Sequence, residues 1–222
     1  MGAHFITGTG TDIGKTWLVC ALLRHWRDKG LRVAAVKPVL SGFDPLWPQA
    51  SDAGILLEAL GRPVTSAELD AIAPWRFAAP LSPDMAAARE KRRIDFDELL
   101  GFTRRVASAD FQQTLVEGVG GVMAPLDAQH TVRDWIAASA LPCVLVTGSY
   151  LGSMSHALTA LAALEKVGAD VTAIVINESA DSNVALEATL ESLSHHAAGI
   201  PLIAIARADP QAGVAGLAEL MY

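Results

Sequence analysis

Two stretches of this chain, Val144-Leu145-Val146 and Ala173-Ile174-Val175-Ile176, are apolar at every position. A strand with one wet face alternates apolar and polar residues. A strand without alternation is covered on both sides, as in parallel sheets packed between helices. β-rich runs occur at residues 4–9, 32–39, 113–117, 143–148, 172–177 and 202–206. Helix-like segments fall near 15–29, 52–60, 94–109, 132–139, 154–167 and 182–195. Their alternation implies right-handed crossovers and a doubly wound, mostly parallel α/β sheet with helices on both faces. No repeat or long linker divides the chain, so residues 1–222 read as a single domain. Ligands in such sheets sit beyond the carboxyl ends of the strands, and the residues that close each run are therefore the candidates for chemistry.

Composition narrows the class. Of 222 residues, 51% are hydrophobic and 18% charged, against about 25% charged in ordinary domains. A chain of this size buries enough surface to need no staple, and disordered or fibrous architectures do not fit. The apolar stretch near 137–146 is broken by Pro142 and falls short of the ~18–20 residues of a spanning helix. The net charge of −7 argues against nucleic acid and anionic membranes as partners, because both call for a basic face. A phosphate ligand stays open, since one Lys and a few backbone N–H groups can hold it. Residues 1–5 show no basic region followed by an apolar one, so a cytoplasmic protein is expected. Cys20 and Cys143 each lie in an apolar run, as two buried thiols or as one disulfide, and metal-ligand spacing is absent.

The first β-rich run delivers Gly8-Thr9-Gly10-Thr11-Asp12-Ile13-Gly14-Lys15-Thr16, then an apolar segment from Trp17 to Trp26. Strand, glycine-rich loop, Gly-Lys-Thr and helix form the context of a phosphate-binding loop, giving a P-loop NTPase-type architecture. Gly8 and Gly14 permit close backbone approach. The N–H groups opening the helix point at phosphate, and the helix dipole favours the anion. Lys15 would neutralise the β- and γ-phosphates and the Thr16 hydroxyl would ligate Mg²⁺, with Asp12 and Ile13 in the loop around the nucleotide. The strict spacing fails, because Thr9 occupies its first glycine position; counted from Gly8, the loop is one residue longer.

Other strand ends supply partners. Lys37 leaves its run before Pro38. Alone it reads as a solvated loop cation; beside a phosphate loop it adds a second ammonium, which suits phosphoryl transfer to an anionic acceptor. Asp52, after Ser51, is either an N-cap or a Mg²⁺ carboxylate. Glu117 closes its run before Gly118-Val119-Gly120-Gly121 in a Walker-B arrangement, with Glu replacing the usual Asp. Asn177 is either a turn residue or an adenine reader. From Gly148 to His156 the chain again leaves a strand and opens a helix, with either a Ser cap or N–H groups for a second anion such as a substrate carboxylate.

Taken in order, these residues resemble the dethiobiotin synthetase family over nearly the whole chain. The resemblance rests on Phe5-Ile6-Thr7-Gly8-Thr9 with Thr11 and Gly14-Lys15-Thr16, Lys37-Pro38-Val39 with Ser41-Gly42, and Ser51-Asp52-Ala53. It continues through residues 74–77, Pro80, Ser82-Pro83, Glu117-Gly118, Gly120-Gly121, Pro125-Leu126, Leu151-Gly152, His156-Ala157 and Asn177. The longer loop, with Thr after the first glycine, is similar to the family's own form.

The resemblance implies a Mg²⁺-dependent cyclo-ligase of biotin synthesis that joins 7,8-diaminononanoate and CO₂ (or bicarbonate) using ATP. It implies Lys15 and Lys37 as catalytic cations and Thr16, Asp52 and Glu117 as metal ligands. Thr11, Ser41 and Lys37 would meet the carbamate and Asn177 the adenine. A homodimer would bring Leu151, Gly152 and Ser155 to the substrate tail of the other subunit. The chain departs from the family at Gly10 (an acid), Asp12 (often Glu), Asp84 (often His), Tyr150 (Lys) and Ser155 (Asn). These departures gather on carboxylate-tail recognition and leave the phosphate and metal set intact. A nucleotide switch of the partition-type ATPase group is the second reading; its signature Lys, five residues before Lys15, is here Gly10. A related amidoligase or a non-catalytic relative is the third.

Overall fold

The computed structural model describes residues 2–180, 182–197 and 199–222. Strand β1 (Gly2–Gly8) leads through the glycine-rich loop into α1 (Lys15–Asp28), followed by β2 (Val33–Val36) and β3 (Val39–Ser41). A 3-10 turn at Pro48–Ala50 precedes α2 (Asp52–Leu60), α3 (Ser66–Ile72), β4 (Trp75–Phe77), α4 (Pro83–Arg89) and α5 (Phe96–Ala107). The alternation then becomes regular: β5 (Gln113–Glu117), α6 (Val132–Ser139), β6 (Cys143–Gly148), α7 (Ser153–Glu165), β7 (Val171–Asn177), α8 (Leu186–Ser194), β8 (Leu202–Ile205) and α9 (Pro210–Leu220).

Six strands form one parallel sheet in the order β2-β5-β1-β6-β7-β8. Every residue of β5 and β6 is buried, as the unalternating apolar runs require. Helix α1 packs between α2 and α9, while α5, α6, α7 and α8 pack in succession as a second layer. At the centre, Phe5 meets Trp135 edge to face at 4.7 Å, and the Trp135 indole N–H donates to Thr103 Oγ1 at 2.9 Å. That bond satisfies the one polar atom of a fully buried ring. Chain order places the topological switch at β1, between β5 and β6, so the crevice above its carboxyl end is where a ligand belongs.

The run at 32–39 is two strands, not one. Pro38 offers no N–H to a ladder and holds Lys37 extended, and pairing with β5 stops at Val36↔Val116. The chain then leaves the main sheet, and β3 pairs in parallel with β4 in a two-stranded side sheet. Helix α8 begins at Leu186, later than its pattern suggests. Ser182 instead donates to the Ser149 carbonyl at 2.6 Å and accepts the Val184 N–H at 3.0 Å, local bonds that compete with a helical start. Cys20 and Cys143 are free and buried, each thiol pushed up to about 12 by burial. Among the described residues, no helix is long and apolar enough to cross a membrane.

Candidate active site

The glycine-rich loop joins β1 to α1 at the switch point. Gly14 is the N-cap of α1 in a left-handed conformation (φ 90°), with no side chain capping the helix and no acidic residue in its first turn. Its first N–H groups are thus left for an anion, with the helix dipole behind them. A Cβ at Gly14 would lie 2.4 Å from Asn177 Nδ2, and one at Gly8 would lie 2.3 Å from Ile13 Cδ1. At Gly14 the left-handed backbone and this contact together favour glycine, while at Gly8 a side chain would require Ile13 to move. Lys15 is buried, and its ammonium folds back to donate to the Gly10 carbonyl. Burial pushes this ammonium down to about 8, reinforced by the neighbouring Lys37 charge and opposed by Glu117, Asp52 and Asp12.

Beside the loop, register places Glu117 next to Ile6, two residues before Gly8. Its side chain is fully buried, and Oε1 accepts from Thr16 Oγ1 at 2.6 Å and from Lys37 Nζ at 2.5 Å. Lys37 Nζ also lies 3.1 Å from Asp52 Oδ2. Burial alone would lower the Lys37 ammonium, but the Glu117 and Asp52 carboxylates outweigh it and hold the group above the ordinary Lys value. Asp52 is not the N-cap of α2. Ser51 is, accepting the Gly54 N–H at 3.1 Å, which leaves the Asp52 carboxylate for the cluster.

Glu117 Oε2 is buried without a partner. With Thr16 Oγ1 and Asp52 it forms a hard-oxygen set of the kind Mg²⁺ takes when substrate phosphates complete its coordination. Among the described residues no group of three or more His, Cys, Asp or Glu is placed to cage a metal by itself. A substrate-completed site is therefore the one the residues fit.

Two adjoining cavities open at this edge. One, about 820 Å³, is lined by Thr11, Lys15, Thr16, Lys37, Ser41, Asp52 and Glu117, with the 80–83 and 119–121 segments completing it. Ser41 Oγ is buried there without a partner. The other, about 640 Å³, lies between the loop residues Asp12, Ile13 and Gly14 and a wall from Asn177 to Ala180 and Ile205 to Arg207. Asn177 ends β7 and donates its Nδ2 to the Ile13 carbonyl at 2.7 Å; its Oδ1 is buried and unpaired. Asn177 thus ties a strand end to the phosphate loop, which a plain turn residue would not do.

A family described as an AAA domain matches residues 3–211. The ATP-dependent dethiobiotin synthetase of Acidiphilium cryptum is 49% identical over 90% of this chain and 91% of its own length. That of Phenylobacterium zucineum is 44% identical over 100% of this chain and 95% of its own. The chain belongs to the dethiobiotin synthetase family. Among solved structures, the cell division ATPase MinD of Pyrococcus furiosus matches with a TM-score of 0.61 at 16% identity, covering 99% of this chain and 98% of that one. The hydrogenase maturation factor HypB of Archaeoglobus fulgidus matches at 0.59 and 12%, covering 100% and 91%. These likenesses show the α/β fold alone, with its parallel six-stranded sheet.

Within this dethiobiotin synthetase chain, the residues singled out from sequence divide in two. Thr11, Asp12, Ile13, Gly14, Lys15, Thr16, Lys37, Ser41, Asp52, Glu117 and Asn177 line one or both cavities. Leu151, Gly152 and Ser155 line neither and are exposed at the start of α7, Leu151 by 86%. The N-cap of α7 is Gly152, with no side-chain cap, so the Ser-cap reading is corrected. Trp17, Arg207 and Pro210 line the smaller cavity and were not marked from sequence. Trp17 adjoins Gly-Lys-Thr and was a readable signal; Arg207 and Pro210 reach the site only through the crossing of β8 and α9.

Proposed function

We propose that the chain catalyses ATP- and Mg²⁺-dependent carboxylation and ring closure of 7,8-diaminononanoate to dethiobiotin. The observation that carries this reading is a pair of buried ammoniums, Lys15 and Lys37, on one cavity wall with Glu117 and Asp52. Transfer of phosphate to a carbamate joins two anions, and such a site must neutralise both. One substrate amine adds to CO₂ and loses a proton, giving a carbamate. The carbamate oxygen attacks the γ-phosphorus, ADP leaves, and a carbamic–phosphoric anhydride forms. The second amine attacks the carbonyl carbon, loses a proton and expels phosphate, which closes the cyclic urea.

In this scheme the first N–H groups of α1 and Lys15 hold the β- and γ-phosphates. Lys37 lies between the carboxylates and the acceptor oxygen, and Thr11 and the unpaired Ser41 hydroxyl orient the carbamate. Asn177 donates one N–H to the Ile13 carbonyl, and its unpaired Oδ1 accepts from the exocyclic amine of adenine. Thr16, Asp52 and Glu117 would hold Mg²⁺, which when bound would supply positive charge against the phosphates. Exposed Leu151, Gly152 and Ser155 serve the substrate tail of a second copy in a homodimer.

The decisive experiment incubates the protein with diaminononanoate, bicarbonate, ATP and Mg²⁺ and looks for the cyclic urea by mass. Absence of product with every chain-length homologue of the diamine overturns the reading.

A further inference from the structure

The two cavities share three wall residues, Asp12, Gly14 and Trp17. Gly14 has no side chain and Asp12 ends in a carboxylate, so the one apolar side chain at the seam is Trp17. It follows Thr16 directly, on the first turn of α1, and is 44% exposed. A half-exposed large aromatic on the rim of a polar site calls for a reason, because most large apolar side chains of this protein are buried. A nucleotide's connectivity supplies one. The triphosphate lies over Lys15 in the larger cavity and the base beside Asn177 in the smaller, so the sugar that joins them crosses the seam.

We propose that the Trp17 indole is the platform on which the nucleotide's ribose packs, with the Asp12 carboxylate beside it for the sugar hydroxyls. The inference rests on the assignment of the two cavities to ATP. The loop and Lys15 read phosphate alone, and Trp17 reads that the phosphate carries a nucleoside. Covering the exposed part of an indole with sugar C–H groups removes apolar area from water without needing a particular base.

Calorimetric titration with ADP, ATP and inorganic tripolyphosphate, each with Mg²⁺, tests this. Trp17→Ala is expected to weaken ADP and ATP about tenfold while tripolyphosphate stays within about twofold of wild type. Trp17→Phe restores most of the loss, and Lys15→Ala weakens all three ligands. Equal weakening of all three by Trp17→Ala means the loop itself was disturbed and overturns the proposal, as does unchanged ADP affinity. If the wild-type protein binds tripolyphosphate and nucleotides equally, the cavity assignment fails along with it. If wild type prefers nucleotides and Trp17→Ala keeps that preference, the Trp17 proposal alone fails.

Discussion

Lys37 Nζ lies 2.5 Å from Glu117 Oε1 and 3.1 Å from Asp52 Oδ2, with the lysine 3% exposed. Removing it deletes a cation from the proposed transfer site and leaves Glu117 buried without its counter-charge. Lys37→Ala should therefore lower dethiobiotin formation by at least about 100-fold and unfold about 3–5 kcal/mol more easily. Product assays and urea melts report the two effects separately, and full turnover would remove the role given to Lys37. Lys15 carries a pH prediction. Its folded value of about 8 lies below the ordinary 10.5, so the unfolded chain binds more protons between those two values and stability from this group rises with pH across that window. Lys15→Met should abolish that rise, seen as a flatter pH dependence of urea unfolding across that window. If ATP binding in the intact protein requires the ammonium, as proposed, its Kd should climb about tenfold per pH unit above 8, measurable by calorimetry with proton uptake. Residue types at strand ends were legible in sequence, because a Lys or Glu closing an apolar run has few structural uses. That Lys37 pairs with both Glu117 and Asp52 was not, since the contacts span 80 residues for one and, for the other, the excursion through β3 and the 3-10 turn.

At the scale of elements, the site is assembled from ends: the carboxyl ends of β1, β5 and β7 and the amino ends of α1 and α2. Ser51 caps α2 through the Gly54 N–H and so fixes the angle at which Asp52 faces Lys37. Ser51→Ala should cost about 1 kcal/mol in urea unfolding and Ser51→Gly only a few tenths; the Ala variant should also need more Mg²⁺ for half-maximal turnover. Gly14→Ala pairs a strained backbone with a contact on Asn177. It should abolish ATP binding while the far end of the sheet keeps its hydrogen-exchange protection. Long, strongly patterned elements were readable: α1, β5, α6 and β6 lie where period and β-rich composition place them. The short ones were not. Strand β4 has three residues and α3 and α4 seven each, too few for periodicity to speak, and α9 is diluted by Gly213 and Gly216. It begins at Pro210, and proline is at home in the first turn of a helix.

For the molecule as a whole, the proposed dimer is the feature with most at stake. Leu151, Leu46 and Trp47 are exposed by 86%, 81% and 69%, and covering Leu151 with a second copy would place α7 at a neighbour's substrate cavity. Leu151→Glu should shift sedimentation toward monomer and raise the KM for diaminononanoate, leaving ATP affinity by calorimetry near that of wild type. Chelating Mg²⁺ should stop turnover, and restoring it should recover activity. The sequence by itself determined the parallel, doubly covered sheet, the phosphate loop and the identities of the ionisable groups at its edge, because periodicity and strand-end chemistry are local properties. Only the tertiary structure decided which groups share a charge and which cavity each one faces. Those facts depend on strand order and on Pro38 turning the chain out of the main sheet, and both are settled by packing between segments far apart in sequence.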